Sequence, residues 1–252
     1  MADLFSKPMH TRPTHPAAAA FVRTLIEYPR MAQVFNPWAQ VDPTYDCTPA
    51  AAQIRAAQLT AYLSERMHHT TQHSTQHSAT TVLIAEAPGY QGARFSGIAM
   101  TSERILLGKH ASVRPDQVLA SAVQRTSRAD TTRGGEHGMN EPTATVVWSH
   151  LLQAGFDGRS CVLWNTFAFH PHHAGQPMSN RTPTPSEVAS AAPLLHQFLA
   201  LFPTAKVIAL GRVAQRTLAS LHVPCESVRH PSMGGAAQFR AQMLELTRTP
   251  MP

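Results

Sequence analysis

Four short apolar runs, separated by segments of helix length, are the feature that most restricts the fold of this chain. The runs span 81–87, 161–167, 206–211 and 225–230. The first three are nearly continuous apolar stretches, which is typical of strands buried on both faces of a parallel sheet. Alternation of such strands with helices predicts an α/β fold with right-handed crossovers.

The segments between the runs carry helix signals. Helices are predicted over about 142–154, 184–201 and 212–221. The second begins with a capping box, in which Thr184 is the cap and Glu187 is the third helical residue. The long segment 88–141 is predicted to be rich in loops, and it follows the first strand, where open α/β sheets bind ligands.

The N-terminal part is organised differently. Residues 1–20 are rich in Pro, His and Ala and are predicted to form a flexible arm, followed by a short helix to residue 28. The clearest helix is predicted over 48–67, where Thr48 and the following Pro supply a start signal. Its apolar residues recur at helical spacing.

A polar linker is predicted before the first strand. Residues 68–80 contain Thr-Gln-His-Ser twice in tandem, with no acidic or Cys residue nearby to complete a metal site. Apart from the arm and this linker, residues 21–252 are predicted to form a single domain, because their length suits one substantial core.

Charge and composition restrict the partners. The 21 Lys and Arg residues exceed the 15 Asp and Glu residues by six, which suggests a polyanion partner but fits a merely basic protein too. The hydrophobic content of 43% excludes a wholly disordered chain. No run reaches the roughly 18 apolar residues of a membrane span. No secretory signal is visible at the N-terminus, so a cytoplasmic location is expected.

The three cysteines exclude two kinds of site. Cys47, Cys161 and Cys225 have no Cys-x-x-Cys spacing, and they are too few for a disulfide framework or a four-Cys zinc site within the chain. A reducing compartment is consistent with this usage.

Polar residues stand where the predicted strands end. Glu86 ends the first strand, Asn165 lies at the end of the second, and His230 ends the fourth. Because the carboxyl ends of parallel strands meet at one edge of a sheet, we expect these side chains to share a pocket. The sequence lacks the glycine-rich phosphate loops and the Gly-x-Ser-x-Gly nucleophile elbow. The His-Pro-His-His segment from His170 to His173 is interpreted as a basic loop at the mouth of the site.

Five motifs occur in a fixed order over residues 81 to about 245. They are Ala85-Glu86-Ala87-Pro88-Gly89, the Asn-containing segment 165–171, Asn180-Arg181-Thr182-Pro183-Thr184-Pro185-Ser186-Glu187, the strand from Val207 to Arg212, and His230-Pro231-Ser232. Together they resemble the uracil-DNA glycosylase superfamily, particularly its thermophile-type branch with an iron–sulphur cluster. The resemblance implies a three-layer α/β/α sandwich around a central four-stranded parallel sheet.

Two departures from that branch change what is expected. Its cluster is held by four Cys, but two of those positions resemble Phe169 and Ala191 here, so we expect no iron–sulphur cluster and no metal. Its Gly-x-Pro-Phe motif, whose Phe stacks on the flipped base, resembles the segment 97–100. The stacking residue is therefore Met100, or else Phe95 or Tyr90.

The resemblance also implies roles for the strand-end residues. Glu86 orients a water and favours a sugar cation, and neutral His230 donates a hydrogen bond to O2 of the base. Asn165 pairs with O4 and N3–H of uracil. Further contacts to the base are expected from Ala87, Pro88, Gly89 and Tyr90.

DNA contacts are expected around the last motif and on scattered arginines. Met233 lies where the family inserts an apolar side chain into the base stack, although a local core contact is the alternative. Ser232 and Gly234 are expected to approach a phosphate. The candidates for phosphate contacts are the basic residues Arg94, Arg128 and Arg181. The alternative for each is an ordinary solvated surface residue.

The predicted function is that of a monofunctional DNA glycosylase acting on uracil in single- or double-stranded DNA during base-excision repair. We expect a nucleoid-associated monomer without membrane contact. In the uracil-specific branch a Tyr blocks C5 substituents, and Gly89 stands at that position here. A modified or damaged base is therefore an alternative substrate, for example C5-modified cytosine in antiphage defence or a deaminated purine. A catalytically weak DNA-binding protein of this fold, or a small-molecule hydrolase on a flavodoxin-like sheet, are further alternatives.

Overall fold

The computed structural model describes residues 13–68 and 79–248 of the chain, and within them a four-stranded parallel sheet forms the centre. Its strand order is β3-β2-β5-β6, and two further short strands, β1 and β4, pair antiparallel elsewhere. The predicted central sheet is confirmed. In chain order the strands are β1 (Val34–Phe35), β2 (Thr81–Ala85), β3 (Cys161–Asn165), β4 (His170–Pro171), β5 (Lys206–Leu210) and β6 (Glu226–Val228).

Helices flank this sheet, which gives the layered α/β architecture that the sequence predicts. Helix α8 packs on β2 and β5, α9 packs on β6, and α1 packs on α2 and α7. In chain order the helices are α1 (Pro16–Glu27), α2 (Ala51–Met67), α3 (Ala93–Ser96), α4 (Glu103–Leu106), α5 (Pro115–Val118), α6 (Pro142–Gln153), α7 (Pro185–Ala200), α8 (Arg212–Ser220) and α9 (Ala236–Arg248).

The burial of the strands explains their apolar sequences. Every residue of β2 and β3 is buried, because β2 lies inside the sheet and helices cover its faces. Trp164 of β3 stacks on Phe198 of α7 at a centroid distance of 4.7 Å and on Trp38 at 5.8 Å. Only the strand ends are left for polar side chains.

The predicted flexible arm is wrong at its C-terminal end. Helix α1 already begins at Pro16, because the His15 side chain accepts a hydrogen bond from the Ala17 N–H and Pro suits the first helical position. Ala18 is fully buried in the core. Residues 13–15 precede the helix, and residues 1–12 of the arm lie outside the described residues.

The start of α2 and the linker also differ from expectation. Thr48 accepts a hydrogen bond from the Ala50 N–H and so forms a turn, and the helix begins only at Ala51. Most of the linker, residues 69–78, lies outside the described residues. At its end Ala79 is buried and donates its N–H to Arg66 O at 2.9 Å, which fixes the chain directly before β2.

The capping box of α7 is confirmed. Thr184 Oγ1 accepts the Glu187 N–H, and the Glu187 carboxylate accepts the Thr184 N–H at 2.7 Å. Within 13–68 and 79–248, no helix combines the length and the apolarity needed to cross a bilayer.

Candidate active site

The ends of β2 and β3 are tied together, which places two of the predicted site residues side by side. Ala85 and Asn165 are register partners on the neighbouring strands. Beyond them, the Thr166 N–H donates to Ala85 O at 2.8 Å and the Phe167 N–H donates to Glu86 O at 3.0 Å. Thr166 Oγ1 adds a second hydrogen bond to Glu86 O. Glu86 and Asn165 therefore lie close together at the carboxyl ends of β2 and β3.

Within residues 13–68 and 79–248, the side chains of these two residues have no hydrogen-bond partner. Asn165 is 3% exposed, and its amide makes no hydrogen bond to any residue in 13–68 or 79–248. The half-buried Glu86 carboxylate likewise has no partner in that part of the chain. Because buried polar groups are normally hydrogen-bonded within the protein, this open amide indicates a site for an external partner.

His230 reaches the same edge from the other side of β2. It follows β6, and its Cβ packs over Gly211, where an added Cβ would lie 3.0 Å away. Gly211 directly follows β5, the strand next to β2, and has φ +89°. A side chain here would be strained and would push the imidazole away, so glycine permits the close approach.

The hydrogen bonds of His230 define its tautomer. Its Nδ1 accepts the Ser232 N–H at 3.2 Å and lies 2.7 Å from Ser232 Oγ. In the neutral ring the proton is therefore on Nε2, which has no partner among the described residues. Burial, and secondly the charge of Arg229, lower the pKa of His230, which keeps the ring neutral at pH 7.

The turn from Glu86 to Gly92 is held by the loop that follows β3. Asn180 Oδ1 accepts the Tyr90 N–H at 2.9 Å, and His170 Nδ1 donates to Pro88 O at 2.9 Å. His170 is fully buried, and burial lowers its pKa to about 4. The expectation of a basic loop at the mouth of the site is therefore wrong for His170, which is a neutral supporting residue.

Glu141 is a site residue that the sequence analysis missed. It precedes α6, and its carboxyl packs on the turn so closely that a Cβ on Gly92 would overlap Oε2. A Cβ on Gly89 would lie 3.7 Å from Glu141 Oε1 and from the Asn180 amide. Oε2 is shielded from solvent and has no hydrogen-bond partner in the part of the chain that the structure describes. In sequence, Glu141 before Pro142 is an ordinary helix start, so no local signal distinguishes it.

The candidates for stacking on a base are reduced to two. Phe95 is fully buried, with the Arg94 guanidinium 4.8 Å from its ring centroid, so its prediction as a base-binding residue is wrong. Met100 is 4% exposed and has φ 47°, and Tyr90 is partly exposed on the turn. Tyr90 and Met100 therefore stay candidates.

Two of the three predicted DNA-binding arginines are already occupied. Arg94 is fully buried, where it bonds Asp42 at 2.7 Å and lies over the Phe35 ring, so the prediction for it is wrong. Arg181 forms a two-bond ion pair with Glu187, the capping residue of α7, which withdraws its guanidinium from phosphates. Arg128 keeps a side chain that is 42% exposed.

The loop after His230 is exposed. Met233 is 91% exposed with φ 53°, which excludes the alternative of a local core contact. Ser232 and Gly234 on either side are exposed as well. An open polar cavity of about 540 Å³ lies at the ends of β5 and β6, and the exposed residues Arg212 and Arg229 line it. Sequence reasoning did not assign either arginine to DNA.

Comparison with known proteins supports the fold and shows the family. The crystal structure of wild-type Pedobacter heparinus SMUG2 has the same fold, with a TM-score of 0.57 at 9% identity over 92% of this chain and 97% of that chain. No curated protein shows a significant match. The model of the family described as the uracil DNA glycosylase superfamily matches residues 73–251, which include Glu86, Asn165 and His230. The chain therefore belongs to the uracil-DNA glycosylase superfamily.

Proposed function

We propose that this protein is a monofunctional DNA glycosylase, and that uracil in DNA is its first candidate substrate, removed in base-excision repair. One observation supports this most: the Glu86 carboxylate, the Asn165 amide and His230 Nε2 stand at one edge of the sheet without partners in the described residues. Each of them meets a separate requirement of the reaction.

His230 assists the departing base. When the bond between C1′ and the base nitrogen breaks, its electron pair leaves with the base and charge develops on O2. The Nε2–H of neutral His230 donates a hydrogen bond to that oxygen. The Ser232 N–H on Nδ1 fixes the tautomer, so the donor is oriented before the substrate arrives.

Glu86 serves the sugar and the attacking water. Its carboxylate favours the cationic sugar electrostatically and orients a water towards C1′. The water oxygen bonds to C1′ while the base leaves, and Glu86 accepts the proton that the water loses. Its backbone carbonyl is held by Thr166 and Phe167, which fixes the carboxylate relative to Asn165.

Asn165 recognises the base. One amide accepts from N3–H and donates to O4 of uracil, whereas the reversed amide would suit cytosine. Discrimination therefore requires a fixed amide, and the buried end of β3 supplies a packed environment for it.

The remaining features serve the DNA. The target nucleotide has to leave the stack before C1′ is accessible. Met233 is exposed where an apolar wedge fills the vacated space. Arg128, Arg212 and Arg229 present cations to phosphates, and the extruded base stacks on Tyr90 or Met100.

We also propose that the protein works without an iron–sulphur cluster. Two of the four positions that resemble cluster ligands are Phe169 and Ala191, and both are buried in the hydrophobic core. Neither offers a thiolate, so the ligand set of the cluster-containing branch does not fit this chain.

The test is release of uracil from an oligonucleotide, single-stranded and in duplex, followed by hypoxanthine, xanthine and C5-modified cytosines. Wild type is expected to leave abasic sites, and Glu86→Gln to slow that release about 10²- to 10⁴-fold. Glu226→Gln is the matched control, because it makes the same change at the opposite edge of the sheet.

Two results would contradict the proposal. One is that wild type at high concentration releases no base in the panel. The other is that release by Glu86→Gln equals that of the control. The first result would leave a catalytically weak DNA-binding protein, whose DNA affinity would fall with salt and be insensitive to the substitution. The second would leave a glycosylase that does not use Glu86.

A modified or damaged base is the second candidate substrate. The observation that favours it is Gly89, which leaves space beside the turn where the uracil-specific branch has a blocking Tyr.

A further inference from the structure

Glu141 has no role in the mechanism above, and the burial of its carboxyl group is energetically unfavourable. Its Oε2 is buried, has no partner among the described residues and lies against the backbone of Gly92. An unsatisfied buried carboxyl oxygen is unfavourable unless a ligand completes its hydrogen bond. The location is the turn from Glu86 to Gly92, which also carries the predicted base contacts.

The edges of the base can be matched to the elements around it. In the proposed mechanism His230, on the β5 side, hydrogen-bonds O2 of the base. Asn165, at the end of β3, hydrogen-bonds N3–H and O4. The edge that remains carries C5 in a pyrimidine and N7 in a purine. We expect this edge to face the turn at Gly89, where the loop with Asn180 and the start of α6 with Glu141 meet that turn.

Gly89 is the residue of the turn that faces the side chains of Asn180 and Glu141. Its missing side chain leaves a gap, and both the Asn180 amide and Glu141 Oε1 would be 3.7 Å from a Cβ there. A base is therefore bordered at this edge by two polar groups instead of a side chain of the turn.

We propose that Glu141 is a specificity-determining residue that hydrogen-bonds an acceptor on the C5/N7 edge of the flipped base, with the Asn180 amide beside it. This inference rests on the proposed glycosylase function and names the class of base it favours. Two kinds of base carry such an acceptor: purines, through N7, and pyrimidines whose C5 substituent contains an oxygen. Uracil carries only C5–H there.

Glu141 is suited to donate this hydrogen bond. Burial raises the pKa of its carboxyl to about 7, and no charge on Glu86, Tyr90 or His170, the titratable groups of the turn and the neighbouring loop, contributes to that rise. Below pH 7 the group is therefore a neutral acid with an O–H donor.

Asn180 presents a second hydrogen-bond donor at this edge. Its Oδ1 is occupied by the Tyr90 N–H, so the free end of the amide is the NH₂ group. Asn180 is exposed at this point, and its NH₂ has no partner in 13–68 or 79–248. The edge beyond Gly89 therefore presents donors, and an acceptor on the base complements them.

The experiment uses two matched pairs of bases that differ only in the acceptor. 5-Hydroxymethyluracil is compared with thymine, and hypoxanthine with 7-deazahypoxanthine, so the two arms distinguish the pyrimidine and purine sources. Binding is measured by anisotropy with non-cleavable 2′-fluoro nucleotides in an oligonucleotide at pH 6. Wild type is expected to prefer the acceptor-bearing base of at least one pair about five- to tenfold, the value of one hydrogen bond.

Variants locate that preference. Glu141→Ala is expected to reduce it to about one, whereas Glu141→Gln, which keeps an N–H donor, retains it. Glu136→Ala, which removes an exposed carboxyl upstream, is the control. Raising the pH from 6 to 8 is expected to weaken the preference of wild type, because the carboxylate cannot donate, and to leave Glu141→Gln unchanged.

The inference is overturned if wild type binds both members of each pair equally. It is also overturned if Glu141→Ala keeps the preference, or if Glu141→Gln loses it while melting like wild type. Because this readout is binding, it stands apart from turnover: absence of base release with an intact preference would contradict the proposed activity and leave the specificity assignment in place.

Discussion

Two groups of buried polar side chains in this molecule differ in whether the chain itself satisfies their hydrogen bonds. On α2, the buried Arg66 donates to the carbonyl oxygens of Cys161 at 2.7 Å and Gly158 at 2.8 Å, and also to those of Tyr62 and Val118. Arg55 on the same helix bonds Asp46 through two nitrogens. These guanidinium groups are saturated by the chain itself.

At the carboxyl edge of the sheet the polar groups are open. The Glu86 carboxylate, the Asn165 amide, His230 Nε2 and Glu141 Oε2 have no partner within 13–68 and 79–248. Some buried atoms elsewhere, such as Trp164 Nε1 and His150 Nε2, also lack a partner within the described residues. At this edge, however, four open groups lie on elements that end together, which indicates groups that a ligand completes. The saturated guanidinium groups stabilise the fold, whereas the open groups at this edge indicate a site.

The largest effect is expected where a saturated group is removed. Arg66→Met leaves several buried carbonyl oxygens unsatisfied and should lower the free energy of unfolding by about 3–5 kcal/mol. Urea denaturation measures this. Arg114→Met is the control, because the Arg114–Asp116 pair is exposed and solvent screens it, so its loss should change the stability little. Equal losses in the two variants would contradict the comparison.

Removing an open group should instead affect the rate. His230→Ala is expected to slow uracil release about 10²- to 10³-fold and to leave the melting temperature unchanged, since the ring bonds only Ser232 among the described residues. A fall in melting temperature of more than a few degrees would show that His230 is structural.

The same residue predicts a pH dependence. Protonation would place a hydrogen on Nδ1 opposite the Ser232 N–H and release the ring from its orientation. Because the pKa of His230 is lowered, by burial first and by Arg229 second, activity should persist at pH 6.5 and decline only below it. Arg229→Ala should move that decline to higher pH. The two pH–rate profiles test this, and coincident profiles would contradict it.

The Glu141→Gln substitution should have a smaller effect, and it should raise the free energy of unfolding instead of lowering it. The pKa of Glu141 is about 7 in the folded protein and about 4.5 unfolded, so the folded state binds the proton more tightly and wild type loses stability as the pH rises from 4.5 to 7. Glu141→Gln should therefore exceed wild type by roughly 2–3 kcal/mol at pH 8 and match it near pH 4. Urea denaturation at both pH values measures this, and a pH-independent difference would contradict it.

The smallest effect is expected at Met233, whose side chain is 91% exposed. Met233→Ala should slow release from duplex DNA about fivefold, because an apolar wedge is lost, and leave single-stranded DNA unaffected. Met233→Leu should retain the duplex rate. Single-turnover kinetics on both substrates measure this, and equal losses on both would assign Met233 another role.

Local signals were sufficient for much of the architecture. The runs predicted all four strands of the parallel sheet. For β2 and β3 the reason is that residues buried on both faces read as continuous hydrophobic sequence, whereas β6 is buried only at Val228. The Thr184–Glu187 box predicted the start of α7, because capping uses neighbours three residues apart. The ends of the same strands also indicated Glu86, Asn165 and His230 as candidates for one site.

Long-range pairing decided the rest. Arg94 and Arg181 look alike in sequence, as cations in polar segments, but Asp42 and Glu187 occupy them in the folded chain. Phe95 was a plausible stacking ring until packing buried it completely. Whether a charge or a ring is available depends on partners distant in sequence, and a local pattern does not contain that information.

The sequence by itself determined the parallel sheet, the family to which the chain belongs and the strand-end residues, because each of these is written in periodicity or in contiguous motifs. Only the tertiary structure decided which polar groups are left open. Glu141 illustrates the reason: it lies about 50 residues after the turn it contacts, and its carboxyl acquired its raised pKa only when folding pressed it against Gly92.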